Sequence, residues 1–142
     1  MRNYNVLMIE DDVDDRYITD KYFLDNGYNI SVEYFPSNNQ NIVQYLSGLG
    51  PAGMPQLILM SGRYGLDHLV QIKSHEIFRQ IPVVVLTEMS HAFSITEAYR
   101  LGASSVIEKP STHQLTQEKI QTFSKYWFSI VELPVTTPAA HM

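Results

Sequence analysis

The chain has 142 residues, enough for one domain with a sizeable core; 44% of them are hydrophobic and 18% charged, which excludes a disordered chain. Cysteine is absent, which excludes a disulfide framework and a thiolate zinc site. A formal net charge of −5 argues against a nucleic-acid module, which usually carries a basic stripe. No apolar run is long enough to cross a bilayer, and the N-terminus lacks a hydrophobic signal region. We therefore expect a cytoplasmic domain with neither a membrane nor a nucleic-acid partner.

Strand-like and helix-like segments alternate along the chain. Short apolar or β-branched runs predict strands at 6–9, 30–35, 57–60, 83–87 and 105–108. Segments with helical spacing of apolar residues, several of them ended by glycine, predict helices near 14–26, 38–50, 66–74, 91–101 and 112–129. This alternation predicts an α/β fold with a doubly wound, five-stranded parallel sheet covered by five helices.

The last helix carries an apolar stripe with steps of three and four residues. The stripe predicts that Ile120, Phe123, Trp127 and Ile130 face the core. Tyr126 and Phe128 fall off the stripe, and we expect them to cover the flank of this helix. Residues 1–134 form the predicted domain, and 135–142, which have no periodicity, are expected to be a disordered tail.

Chemically active side chains follow the predicted strands. In the flavodoxin-like strand order 2-1-3-4-5, the first strand lies beside the third, and ligands bind at the carboxyl ends of the strands. That edge collects six residues: Glu10, Asp11, Ser61, Thr87, Lys109 and Pro110.

Four strings, "VLMIEDD", "IPVVVLT", "AYRLGASSVIEKP" and "YWFSIVELP", resemble the receiver domain of bacterial two-component response regulators, especially the single-domain, CheY-like kind. The resemblance covers about residues 4–134. It implies that Glu10 and Asp11 are the acid pair that helps hold Mg²⁺, and that Thr87 and Lys109 contact the phosphoryl oxygens. It also implies a cis peptide bond before Pro110.

Two positions depart from the family pattern. Ser61 stands where the family has the aspartate that accepts the phosphoryl group, and a hydroxyl cannot replace an ionised carboxylate without an adjacent base. Val106 stands where the family usually has a Tyr or Phe that couples to the hydroxyl after strand four. The stretch from Ser61 to Ile72-Lys73 is also about four residues shorter than is usual in the family, which is close to one helical turn.

Other chemistry is less well supported by the sequence. The acids at 10–15 lack the frame of a calcium loop, and Asp14 and Asp15 suit the start of a helix. Ser61 has no Gly-x-Ser-x-Gly elbow, so a hydrolase nucleophile is not indicated. Asp67, as a substitute acceptor, lies about six residues past the strand end. Lys109 can pair with Asp11 without metal, although two carboxylates still allow weak Mg²⁺ binding.

We therefore expect a stand-alone receiver, not an enzyme, that acts through protein–protein contacts without phosphorylation at Ser61 and without a required cofactor. The expected partner is a sensor histidine kinase or another signalling protein, with a homodimer through helix four, strand five and helix five as a further option. One alternative is a working phosphorelay receiver that uses another acceptor, such as Asp11, Asp12 or Ser61 itself. The other is a flavodoxin-like small-ligand binder or enzyme, against which the acidic, glycine-free first loop argues.

Overall fold

A single parallel sheet organises the chain in a computed structural model that describes residues 2–24, 27–36, 41–62, 66–87, 92–108 and 113–136. The strands are β1 (Asn3–Ile9), β2 (Asn29–Phe35), β3 (Leu57–Ser61), β4 (Val83–Thr87) and β5 (Ser105–Glu108). The helices are α1 (Val13–Leu24), α2 (Ile42–Ser47), α3 (Asp67–Ser74), α4 (Ala92–Arg100) and α5 (His113–Lys125). The strand order β2-β1-β3-β4-β5 confirms the predicted doubly wound α/β fold. Within these ranges, no helix has both the length and the apolar content needed to span a bilayer.

The starts of β1 and α2 differ from the prediction by several residues, in each case for a local reason. β1 begins at Asn3 because its polar first half pairs with β2, and an apolar-run criterion does not detect such residues. α2 begins at Ile42 because the side chain of Asn41 accepts the backbone N–H of Gln44 and caps the helix. Both differences leave the carboxyl ends of the strands where the sequence predicts them.

The helices cover the sheet from two sides and create two separate cores. On one side, residues of α2, α3 and α4 pack against alternate strand residues such as Ile9, Met60 and Val85. On the other side, α5 packs against the intervening residues such as Met8, Leu59 and Val84, and α1 lies beside α5. Period-two alternation of strand side chains therefore assigns each position to one core.

A π-helical turn over Tyr126–Ile130 changes which residues at the end of α5 face the core. The Val131 N–H donates to the Tyr126 carbonyl at 2.9 Å, five residues back, which is wider than an α-helical turn. Consecutive Trp127 and Phe128 are consequently both buried, whereas Ile130 is 65% exposed. The predictions that Ile130 faces the core and that Phe128 lies on the flank are therefore wrong. The prediction that Trp127 is a core residue is confirmed.

The segment 131–136 after this turn contains neither helix nor strand. Within it Val135 is exposed, whereas Thr136 is buried. Of the predicted tail at 135–142, the part at 137–142 lies outside the described residues, so the tail stays a prediction.

Gly102 connects α4 to β5 in a conformation that suits glycine. Its φ of +107° lies in the region that side-chain-bearing residues rarely adopt. The N–H of Gly102 donates to the Tyr99 carbonyl and the N–H of Ala103 donates to the Ala98 carbonyl, both at 3.0 Å, which is the Schellman pattern of helix ends. A Cβ atom on Gly102 would lie 2.8 Å from Cγ of Lys73, so the side chain of Lys73 also requires a glycine there.

Lys73 is held in place from its other end. Its ammonium donates to the carbonyls of Arg79 at 3.0 Å and Ile81 at 2.7 Å, directly before β4. Burial lowers the pKa of Lys73, as expected for an ammonium that has left bulk water. Lys73 therefore links α3 to the entry of β4, and its stem passes over Gly102.

We expect Gly102→Ala to lower the free energy of unfolding by about 2 kcal/mol, because it adds both backbone strain and a contact with Lys73. Urea denaturation measures the change. Gly50→Ala is the matched control, since nothing lies within 4 Å of its added Cβ atom, and it should change stability by less than about 0.5 kcal/mol. Equal effects of the two substitutions would contradict this explanation.

Candidate functional site

The register of the sheet brings three of the predicted site residues to one edge. Ile9 pairs with Met60, so Glu10 follows β1 at the level of Ser61, the last residue of β3. Ser61 pairs with Leu86, and Thr87 therefore lies one residue further along β4. Adjacent strands are about 4.8 Å apart, so Glu10, Ser61 and Thr87 follow one another along the carboxyl edge of the sheet, the crevice region of this fold.

Burial differs sharply among these side chains. Glu10 is completely buried and Ser61 is 2% exposed, whereas Asp11 and Thr87 are half-buried. The carboxylate of Glu10 accepts the N–H of Asp11 through Oε2 at 3.0 Å. Asp11 is therefore the acid of the pair that is more open to solvent.

Asp12 caps the start of α1. Its Oδ1 accepts the N–H of Asp14 at 2.8 Å, and its carbonyl accepts the N–H of Arg16 at 3.0 Å, the first hydrogen bond of the helix. A carboxylate in this position also interacts favourably with the helix dipole. The acidic run thus divides into a pocket pair, Glu10 and Asp11, and a helix cap, Asp12.

Arg16 contacts both the backbone of the acid pair and the neighbouring strand β2. Its Nε donates to the carbonyl of Glu10 at 2.6 Å, and its guanidinium carbon lies 5.1 Å from the ring centre of Tyr34. The Tyr34 hydroxyl lies 2.8 Å from the Arg16 carbonyl and 2.9 Å from Oδ1 of Asp20, and donates to these oxygens. Burial, together with the Asp20 carboxylate, raises the pKa of Tyr34 well above its ordinary value. This network fixes the backbone at Glu10 from the side of β2.

The chain leaves Ser61 through a close contact with β4. A Cβ atom on Gly62 would lie 3.3 Å from Cγ1 of Val85 and 3.4 Å from the Leu86 carbonyl, so a small residue suits this turn. Asp67, the substitute acceptor considered from the sequence, is the exposed first residue of α3. Asp67 therefore lies in the first turn of that helix, six residues after the end of β3.

Val106 lies in β5 opposite Val85 and packs against the core on the α4 side of the sheet. Its N–H donates to the hydroxyl oxygen of Tyr99, in α4, at 3.1 Å. Glu108 ends β5 level with Thr87. The side chain of Lys109 and the peptide bond before Pro110 themselves lie outside the described residues, and their predicted roles stay predictions.

The donor set of the crevice partly suits a hard divalent cation. Glu10 and Asp11 supply carboxylates, the ligand type that Mg²⁺ prefers, whereas Ser61 supplies only a neutral hydroxyl. In the described part of the chain, no group of three or more His, Cys, Asp or Glu side chains is arranged to hold a metal. Any Mg²⁺ would therefore depend on two carboxylates.

Sequence reasoning did not identify Arg16, Tyr34 or Tyr99 as residues of this region. Arg16 and Tyr34 come from different elements, and their contact depends on how α1 crosses β2. No spacing rule links residues 16 and 34, so a single sequence contains no signal for this pair.

Comparison with known proteins identifies the family of this fold and site. The family model of the response regulator receiver domain matches residues 6–121. The probable methanogenesis regulatory protein FilR2 of Methanothrix harundinacea is 30% identical over 82 residues, or 55% of this chain and 53% of FilR2. The chemotaxis protein CheY of Pseudomonas aeruginosa is 32% identical over 62 residues, or 44% of this chain and 50% of that protein. The chain thus spans about half the length of these curated relatives.

Solved structures of similar fold cover nearly the whole chain. Response regulator RPA3017, from red light signalling in R. palustris, has a TM-score of 0.83 at 22% identity, over 94% of this chain and 99% of that one. The phosphorylated cyanobacterial phytochrome response regulator RcpA has a TM-score of 0.82 at 23% identity, with the same coverage. These two likenesses concern the fold alone. Given the family match over most of its length, the acid pair after β1 and the 2-1-3-4-5 sheet, this chain belongs to the response regulator receiver domains of two-component signalling.

Proposed function

We propose that this receiver domain signals through protein–protein contacts without phosphorylation at the family's acceptor position. The observation that carries the proposal is Ser61, buried at the end of β3 and level with Glu10, where the family has its acceptor aspartate. The rest of the pocket supports a receiver origin, because Glu10, Asp11 and Thr87 have the residue types that the family uses there.

The chemistry of a serine differs from that of the family's acceptor. An aspartate attacks the phosphoryl group as an ionised carboxylate and forms an acyl phosphate. The hydroxyl of Ser61 is protonated at neutral pH and needs a base to become a nucleophile. The buried carboxylate of Glu10 already accepts the N–H of Asp11 through one of its two oxygens.

Other acids of the described residues are poorly suited to replace the acceptor. Asp12 caps α1, and Asp67 is exposed at the start of α3. Asp11 is the remaining candidate of the pocket, and in the family pattern it is a metal ligand. A phosphorelay receiver with a non-standard acceptor is therefore the second candidate function, and the mapping experiment below separates it from the first.

We further propose that Mg²⁺ binding is weak and that no cofactor is required. Receiver domains bind Mg²⁺ at the acceptor site. Here, Ser61 removes one anionic ligand, and affinity for hard cations depends on ligand charge. Glu10 and Asp11 would hold the ion, and Lys109, if it pairs with Asp11 as the sequence allows, would compete with it.

Receiver domains interact with histidine kinases and other signalling proteins. Two exposed residues of α1, Val13 and Tyr17, support such a docking surface beside the acid pair, with exposed fractions of 73% and 68%. They lie four residues apart and therefore on the same side of the helix. We propose a sensor histidine kinase or a related signalling protein as the partner, in the cytoplasm and with no catalytic role for this chain.

A second proposed surface is the face formed by α4, β5 and α5, through which two copies of the chain would associate. Tyr99 in α4 and Tyr126 after α5 are both about half-exposed, and β5 is an edge strand. Tyr126 packs edge-on against Trp127, which lines one groove together with Ser104, the residue before β5. Partly exposed aromatics of this kind are enriched in protein interfaces.

We expect no phosphoryl transfer to this chain in acetyl phosphate and Mg²⁺, whereas Ser61→Asp should gain the mass of one phosphoryl group, because it restores an ionised acceptor in the pocket. Intact mass spectrometry measures both. Ser61→Asn is the matched control and should remain unmodified, because asparagine is similar in size to aspartate but carries no charge. A phosphoryl group on the unaltered chain would overturn the proposal, and peptide mapping would then identify the acceptor.

Isothermal titration with Mg²⁺ tests the metal site separately. Ser61→Asp should bind Mg²⁺ at least about tenfold more tightly than the unaltered chain, since even outer-shell changes at metal sites alter affinity by that factor. Asp11→Asn in the Ser61→Asp background should reverse the gain. Equal affinities of the unaltered chain and the Ser61→Asp variant would show that position 61 does not contribute to a metal site.

Sedimentation velocity over a range of concentrations tests the homodimer. We expect the unaltered chain and Tyr17→Glu to associate, and Tyr126→Glu to remain monomeric because it places a charge in the apolar interface. Tyr17 is the control because it is also exposed but lies on α1. Monomers at every concentration, or a loss of association in Tyr17→Glu alone, would contradict the proposed face.

A further inference from the structure

Tyr99 makes an unusual link between a helix and the edge strand. It lies in the last turn of α4, and its hydroxyl oxygen accepts the N–H of Val106, in the middle of β5, at 3.1 Å. Its carbonyl accepts the N–H of Gly102 at 3.0 Å in the turn that leads to β5. Tyr99 is therefore attached to this turn through its backbone and to the strand through its side chain.

The link lies at the position where this chain departs from its family. Val106 is opposite Val85 in β4, two residues before Thr87, and its side chain packs inward against the core. A valine there provides no ring that can turn between core and solvent. The aromatic ring beside this strand comes instead from α4, and it is 48% exposed.

We propose that Tyr99 is a latch that holds the end of α4 on β5, and that it supplies the aromatic surface which position 106 lacks. The latch rests on the proposed function in one respect. A receiver that signals without phosphorylation needs another contact to keep its α4–β5 face in one arrangement, and the latch is such a contact. Its local basis is independent of that function. The Schellman turn fixes the Tyr99 backbone, and the hydroxyl bond to Val106 fixes the side chain across β5.

The position of the ring gives the latch a second consequence. Because the Tyr99 oxygen is the acceptor in its bond to Val106, the hydroxyl hydrogen is available as a donor. Within the described part of the chain, that hydrogen has no acceptor among the hydrogen bonds of Tyr99. The bond to Val106 therefore orients the half-exposed ring of Tyr99 on this face.

Amide hydrogen exchange, measured for each residue by NMR, tests the latch. The unaltered chain and its variants are compared without any phosphoryl donor. Tyr99→Phe keeps the ring and removes the hydroxyl, so exchange of the Val106 amide should become about fivefold faster, as expected for one lost hydrogen bond. Tyr126→Phe is the matched control, because Tyr126 is similarly exposed and its hydroxyl makes no hydrogen bond to another described residue. Exchange at Val106 should be unchanged in it.

The amide of Val84, in the buried strand β4, separates a local effect from general destabilisation. If Tyr99→Phe accelerates exchange of Val84 and Val106 by the same factor, the substitution acts on the whole fold and the latch is refuted. Unchanged exchange of Val106 in Tyr99→Phe, or equal acceleration in Tyr126→Phe, would refute it too. None of these outcomes depends on whether Ser61 accepts a phosphoryl group, so failure of the latch and failure of the proposed function remain distinguishable.

Discussion

The pairing of β1 with β3 is the constraint on which the rest of this molecule depends. Because Ile9 pairs with Met60, the two residues that follow in the chain, Glu10 and Ser61, lie side by side at the carboxyl edge. A slip of one residue would move one of them into the opposite core, since strand side chains alternate between faces. Both side chains are buried, so their identities determine the chemistry that this edge can perform.

The surroundings of the acid pair are built independently of position 61. Arg16 holds the carbonyl of Glu10 and lies over Tyr34, and Asp12 caps α1. These contacts involve neither a metal nor a phosphoryl group, so the loop after β1 can keep its conformation whichever residue occupies position 61. A receiver domain with a serine at position 61 can in this way retain the family's fold.

Much of the fold followed from local pattern, whereas the exceptions came from packing. The alternation of strands and helices indicated a parallel sheet, for which the flavodoxin-like strand order proved correct, and acids at the start of α1 indicated the helix boundary. The end of α5 was different. Apolar spacing assigned Ile130 to the core and Phe128 to the flank, but a π-helical turn buries Phe128, whose carbonyl accepts the Tyr4 hydroxyl at 2.8 Å. A contact between residues 4 and 128 has no signature in either local segment.

The sequence by itself determined the type of fold and the residue types at its functional edge, including serine and valine at positions 61 and 106. The type of fold follows from local periodicity. The residue types at the edge, and their chemistry, can be read directly from the sequence. Only the tertiary structure decided that Arg16 fastens the acid loop and that Tyr99 reaches β5. These contacts join elements whose relative position is set by the packing of the two cores, and no local spacing encodes that position.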